Sequence, residues 1–266
     1  MNVFLRELRS NRKGLIFWCI GMIFLVGSGV AKFYGYSTTG QSTIAGVYEM
    51  FPHSLQVLFG LNGFDLTKPG GVYGILFMYI VLTAVIHAVL RGTDLISKEE
   101  RDKTSEFLFA KPVSRNSVVT EKLLAGLFSL IVLNLVTLVS SIYVVDYFSK
   151  STAGTSDVLL LSGALFILQL LFFLVGAAIA AVSKQPKAAA GIATAVVLVT
   201  FIMYFMINLN EHIDTLKYFT PFKYFEAKDL IASGSLDMLY VALSGGIIAI
   251  ALVATYVTYS RRDLTT

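Results

Sequence analysis

The stretch VLLLSGALFILQLLFFLVGAAIAAV, residues 158–182, decides the fold class: its 25 residues carry no charge. As a helix rising 1.5 Å per residue it would measure about 37 Å, more than the roughly 30 Å of a bilayer's hydrocarbon layer. Apolar runs able to do the same recur at about 14–31, 72–90, 118–147, 188–207 and 237–259. Inside lipid no water is present to satisfy backbone N–H and C=O groups, so only helices and closed barrels span it. The ten-residue alternating segments of a barrel are absent. The expected fold is an all-α integral membrane protein with six transmembrane helices, forming one domain over residues 1–266.

Composition agrees. Of 266 residues, 56% are hydrophobic and 14% charged, against about 25% charged in a typical soluble chain, and the mean hydropathy is +0.73. Lipid, rather than a charged surface, must cover such a chain. The formal net charge of +4 is a weak argument for nucleic acid, and no nucleic-acid partner is expected. The single cysteine, Cys19, lies within an apolar run and reads as a packing residue, so there is no disulfide framework. His53, His87 and His212 have no metal-ligand spacing, so no metal site is expected. No catalytic serine motif is present either, and no catalytic residue is assigned.

Residues 2–13 (NVFLRELRSNRK) place Phe4, Leu5 and Leu8 on one side of a helix and Arg6, Arg9, Ser10 and Lys13 on another. This pattern predicts a short amphipathic helix lying on the membrane interface before the first span. The run from Gly14 to Ala31 exceeds the apolar core of a signal peptide and five spans follow it, so it reads as an uncleaved span. Two polar-aromatic connections, 32–71 and 208–236, stand apart from the charged ones. In the first, Ile44 to Phe59 has helical spacing. In the second, Tyr218, Phe219, Phe222, Tyr224 and Phe225 read as interfacial anchors, or as part of a short helix pair covering the outer mouth of a pathway.

Lysine and arginine counts orient the chain. Residues 6–13, 91–122, 184–187 and 261–262 hold fifteen of the 21, while the alternate connections hold Lys32, Lys68, Lys150, Lys217, Lys223 and Lys228. The positive-inside bias places both termini and the 91–122 segment in the cytoplasm, as an even number of spans requires.

That segment is the richest in signals. Ser97 followed by Glu100 fits a capping box, predicting a cytoplasmic helix from about Lys98 to Ala110 with Glu99, Glu100 and Asp102 near its N-terminus. Phe107, Leu108 and Phe109 make its far end apolar, Pro112 closes it, and Ser114 or Asn116 can cap the helix that becomes the third span. A solvated loop carrying ordinary positive-inside charge is the plainer reading. Three consecutive bulky apolar residues weigh against it, since such a patch meets headgroups or a partner.

The run ISKEERDKTSEFLFAKPVSRNSVVTEKLLAGL (96–127) resembles the cytoplasmic segment of ABC type-2 permeases, membrane subunits of ABC exporters. The pattern there is glutamate-rich, then T-x-E-x-L-L, then K/R-P-V-S-R, then a lysine entering the next span. Glu99, Glu100, Thr104, Ser105, Glu106, Leu108, Lys111, Pro112, Val113, Ser114, Arg115 and Lys122 match, and Lys103 replaces the usual glycine before the threonine. Residues 51–74 and 216–237 resemble the family's two external connections, so the likeness covers nearly the whole chain. The resemblance implies that the segment is a coupling helix docking on a separate cytoplasmic ATPase. The residues in contact would be Glu99, Glu100, Arg101, Lys103, Thr104, Ser105, Glu106, Phe107, Lys111, Pro112 and Arg115. It also implies a second permease copy, alike or different, and ATP with Mg bound by the partner and not by this chain. No G-x-x-x-x-G-K-[ST] loop occurs, so the chain reads as a permease subunit of the cell membrane and not itself an enzyme. The competing class is a secondary carrier or membrane sensor whose charged loop only binds lipid; no internal repeat between residues 1–130 and 131–266 supports it.

Polar residues within spans are candidates for the pathway or for packing. His87 reads as packing or interfacial, or as a substrate or proton site, and Asn134 and Gln169 as interhelical hydrogen bonding. Arg91 and Asp94, three apart, read as an interfacial pair. The small-residue series Gly176, Ala177, Ala180, Ala181, Ala189 and Ala193 lets helix backbones approach closely, serving the hairpin of spans four and five or a dimer seam.

Overall fold

A computed structural model describes residues 3–37, 51–60, 64, 69–103, 114–149, 154–183 and 185–261. Among them there is no strand. Six long helices carry the apolar runs: α1 (Val3–Ser37), α3 (Pro69–Arg101), α4 (Arg115–Ser149), α5 (Thr155–Val182), α6 (Pro186–Leu209) and α9 (Met238–Arg261). Each is long and apolar enough to cross a membrane. Shorter elements lie between them: α2 (His53–Leu58), a 3₁₀ segment (Glu211–Phe219) kinked at Ile213, α7 (Pro221–Tyr224) and α8 (Ala227–Ser233).

The helices run up and down. Tyr73 near the start of α3 donates to Ser141 near the end of α4 at 2.9 Å, while Phe4 N–H reaches Glu121 near the start of α4 at 3.1 Å. Arg115 donates to the Ser260 carbonyl at 3.3 Å. The described ends of the chain therefore lie at one end of the bundle, with the inner turns of α3 and α4. We call this the charged end, and the end carrying α2, α7 and α8 the aromatic end.

α3 and α5 form the centre and pack along each other more extensively than any other pair. The reason is steric. A Cβ on Gly92 would stand 2.0 Å from the Phe173 carbonyl oxygen, and one on Gly176 would stand 2.5 Å from the Val89 carbonyl oxygen. With no side chain in the way, the two backbones meet, and dispersion contact replaces the hydrophobic drive that lipid removes. Gly176 and Ala177 thus serve the contact between the second and fourth spans. α1, α6 and α9 sit outside and turn Phe17, Phe24, Val199 and Ile250 outward, as a lipid-facing surface should.

Two expectations about the charged end are corrected. Residues 3–13 are not a separate interfacial helix: α1 is continuous from Val3 to Ser37. Its polar side chains find partners on α3 and α4, which holds the segment upright. Nor does a helix begin at Ser97. α3 runs on to Arg101, and the Ser97 hydroxyl donates back to the Thr93 carbonyl at 2.8 Å. The N–H groups a cap would satisfy are already used within the helix. α3 ends with Asp102 N–H on the Lys98 carbonyl and Lys103 N–H on the Glu100 carbonyl, and Lys103 takes φ +56°. The remainder of the expected coupling helix, residues 104–113, lies outside the described residues. Ser114 does cap α4, accepting from Ser117 N–H at 3.2 Å.

At the aromatic end the expected anchors divide. Tyr218 and Phe219 are exposed, but Phe222, Tyr224 and Phe225 are buried. Phe222 packs between Phe172 and Phe201, with ring centroids 5.3 and 5.1 Å away, and Tyr224 stacks on Tyr240 at 5.0 Å. Pro221 and Glu226 open two short helices whose apolar faces close this end of the bundle, with Gly234 (φ +67°) ending the second.

Candidate functional site

The last three turns of α3, RGTDLISKEER (91–101), extend below the apolar run and present charge toward two neighbours. At 3.6 residues per turn, Leu95, Glu99 and Lys98 fall on the side facing α1 and α4. Lys122, about two turns into α4, is fully buried there. Its ammonium donates to the Leu95 carbonyl at 2.6 Å and to the Glu99 carboxylate. The other Glu99 oxygen accepts from Arg6 at 2.7 Å, and the same guanidinium group reaches Glu7 at 2.8 Å. Lys98 closes the ring, donating to Ser10 at 2.8 Å and lying 3.5 Å from Glu7. Three helices are thus tied by five charges of both signs. Glu99 and Glu100 stand in the last turn of α3, where the macrodipole opposes an anion. Lys122 and Arg6 offset that penalty for Glu99.

This arrangement reassigns part of the predicted docking set. Glu99 and Glu100 are buried, and Glu99 is occupied within the chain. Arg101, Asp102 and Lys103 are exposed or half-exposed, with Arg101 held by Asp94 at 2.9 Å and Asp102 at 3.2 Å. Arg115 reaches the end of α9. Thr104, Ser105, Glu106, Phe107, Lys111 and Pro112 lie outside the described residues. The ends from which that segment emerges, Lys103 and Ser114, both belong to the charged base. Glu7 and Lys98 escaped the sequence reading because their partners lie some 90 positions away; an acid within a basic N-terminal run was the available signal.

In the middle of the bundle, Asn134 donates to Gln169 Oε1 at 3.2 Å and accepts from the Ser162 hydroxyl at 3.1 Å. These bonds join α4 to α5 as expected for interhelical polar contacts. His87 is buried under the edge of Trp18, ring centroids 5.2 Å apart. Arg91 lies 3.6 Å from Asp94, so that pairing holds. Together with Trp18, Leu90 and Ala190, His87 and Arg91 line a cleft of about 280 Å³ at the charged end.

A second cleft, about 470 Å³, opens at the aromatic end beside Lys223, Glu226, Asn208 and Tyr204. Lys223 bonds Asn208 at 2.6 Å and pairs with Glu226, and the Tyr204 hydroxyl reaches Glu226 at 3.3 Å. Burial pushes the Tyr224 hydroxyl pKa up, with Tyr240 beside it adding to the shift; it stays a neutral donor to the Tyr218 carbonyl. Among the described residues no group of His, Cys, Asp and Glu is arranged to hold a metal ion.

A comparison with curated proteins finds none that matches. The pattern of one family does match, over residues 1–264, and its description is "ABC-2 family transporter protein". With six membrane-length helices in an up-and-down bundle and a charged base joining the second and third spans, the chain belongs to the ABC-2 family of transporters, as a permease.

Proposed function

We propose that this permease is the membrane subunit of an exporter powered by a separate cytoplasmic ATPase, which docks on residues 104–113 between α3 and α4. ATP and Mg then belong to that partner, and two permease copies frame the pathway in the cell membrane. The charged end faces the cytoplasm, a reading supported by the excess of lysine and arginine there.

The observation that carries the coupling role is the base itself. The two ends of the 104–113 segment spring from helices locked together through Glu99 and Lys122, and α1 joins them through Arg6. A push on the segment therefore moves three helices as a unit instead of bending one loop. Co-expression with candidate ABC ATPase subunits tests the idea. Reversing Glu106 and Lys111 should release the ATPase on co-purification and abolish transport-linked hydrolysis, while membrane insertion is kept. Retention of an intact complex with undiminished coupled hydrolysis would sink the proposal.

A further inference from the structure

Arg91 is 5% exposed, yet only part of its guanidinium group is occupied. Nη1 lies 3.6 Å from Asp94 Oδ2, whereas Nε and Nη2 are buried without a partner. Nε–H and Nη2–H point the same way and form the parallel fork that matches two oxygens of one anion. Asp94 does not fill the fork, because it meets Nη1 alone and its other oxygen is 2.9 Å from Arg101. One turn earlier on the same face of α3, His87 is 3% exposed and its Nδ1 is likewise unpartnered. Both residues line the 280 Å³ cleft at the charged end, whose other walls are Trp18, Leu90 and Ala190 on one side and a polar set that includes Asp94 and Arg101.

A carboxylate has two oxygens and would satisfy the fork alone. A phosphate group has a third to offer His87, which can carry its proton on Nδ1 as a neutral donor. Trp18, Leu90 and Ala190 give the cleft an apolar side for a hydrocarbon body. The cleft also lies where the apolar run of α3 gives way to its charged extension, the depth of a headgroup. We propose that this cleft binds the terminal phosphate of an amphiphile, whose three free oxygens place two on Arg91 Nε and Nη2 and a third on His87 Nδ1–H. The donors lie beneath the lining side chains, so entry turns Trp18 aside. The inference concerns this chain alone and holds whether or not an ATPase docks on it.

Trp18 is the sole tryptophan of the chain, so its emission reports the cleft without a label. Purified permease in phosphatidylcholine nanodiscs, without nucleotide or partner, would be titrated with dihexanoyl phosphatidic acid, dihexanoyl phosphatidylcholine and inorganic phosphate. A saturable change with phosphatidic acid is expected. Arg91→Lys, which keeps the charge but loses the fork, should weaken it about ten- to a hundredfold. Arg91→Gln should remove it, and His87→Leu should weaken it several-fold. Saturation by inorganic phosphate at equal concentration would assign the site to free phosphate, and saturation by the amphiphile alone would assign it to a lipid headgroup. Either upholds a phosphate site. A response equal to that with net-neutral phosphatidylcholine overturns it, as does an undiminished response in Arg91→Lys. The lysine variant decides the matter if Arg91→Gln does not fold by circular dichroism.

Discussion

Lys122→Met tests the charged base most directly. The ammonium group is fully buried and is shared between the Leu95 carbonyl at 2.6 Å and the Glu99 carboxylate. Removing one member of a buried ion pair costs about 3–5 kcal/mol, because the other is left buried and uncompensated. Here Glu99 retains Arg6 at 2.7 Å, a partner about one-third exposed, so the loss should fall near the lower limit, about 3 kcal/mol. Glu99→Leu should cost a similar amount, stranding the ammonium. The double variant Glu99→Leu with Lys122→Met replaces the pair by apolar groups, leaves Arg6 bonded to Glu7, and should lie within about 1 kcal/mol of the parent. The coupling energy between the two positions should therefore be about 5 kcal/mol, the two single losses less that of the double variant. Reversible unfolding by SDS in mixed micelles, followed by circular dichroism, measures all four corners of the cycle. Salt at 0.5 M should not change the result, since a buried pair is poorly screened. A Lys122→Met variant within about 0.5 kcal/mol of the parent, or single losses that simply add, would refute the reasoning.

Gly92→Ala should lose about 1–3 kcal/mol by the same unfolding assay, because its Cβ would meet the Phe173 carbonyl and Ala177 N, both backbone. Gly163→Ala, with open space around it in mid-helix, serves as the control that should not be destabilised. Lys103→Gly should stabilise the end of α3 by about 0.5–1 kcal/mol, since φ +56° strains a side chain and suits glycine. An unchanged midpoint would mean that this turn does not limit unfolding. A cysteine replacing exposed Phe219 should react with a membrane-impermeant maleimide added outside cells, and one replacing buried Phe225 should be protected. Equal labelling would contradict the closed aromatic end.

The six spans were legible because lipid imposes one rule over some twenty residues at a time, and a run such as 158–182 obeys it without help from distant contacts. The Ser114 cap and the Arg91–Asp94 pair were legible for a related reason: each lies within one turn. Where helices stop is less legible. Ser97 and Glu100 look like a beginning, yet α3 continues through them because Lys122, 23 positions on, neutralises Glu99. The same blindness hid Glu7, whose partner Lys98 is 91 positions away. Glycines told of close approach but not of what approached; Gly176 meets Val89 across the bundle. In the candidate site, sequence pointed to Glu99 as a surface for a partner, whereas burial makes it a fastening for the helices behind that surface.

The glycine contact between α3 and α5 has a mechanical consequence. α3 is unbroken from Pro69 to Arg101, and at Gly92 it touches α5 through backbone alone, with no layer of side chains to shear. Any tilt of α3 against α5 would have its fulcrum at that point. At 1.5 Å per residue, about 14 Å of α3 lies between Gly92 and Arg101 and about 33 Å between Gly92 and Gly70. A tilt about the fulcrum magnifies displacement by roughly 2.4 toward the aromatic end. An ångström of travel at the charged base becomes more than two where α3 meets the closing aromatics.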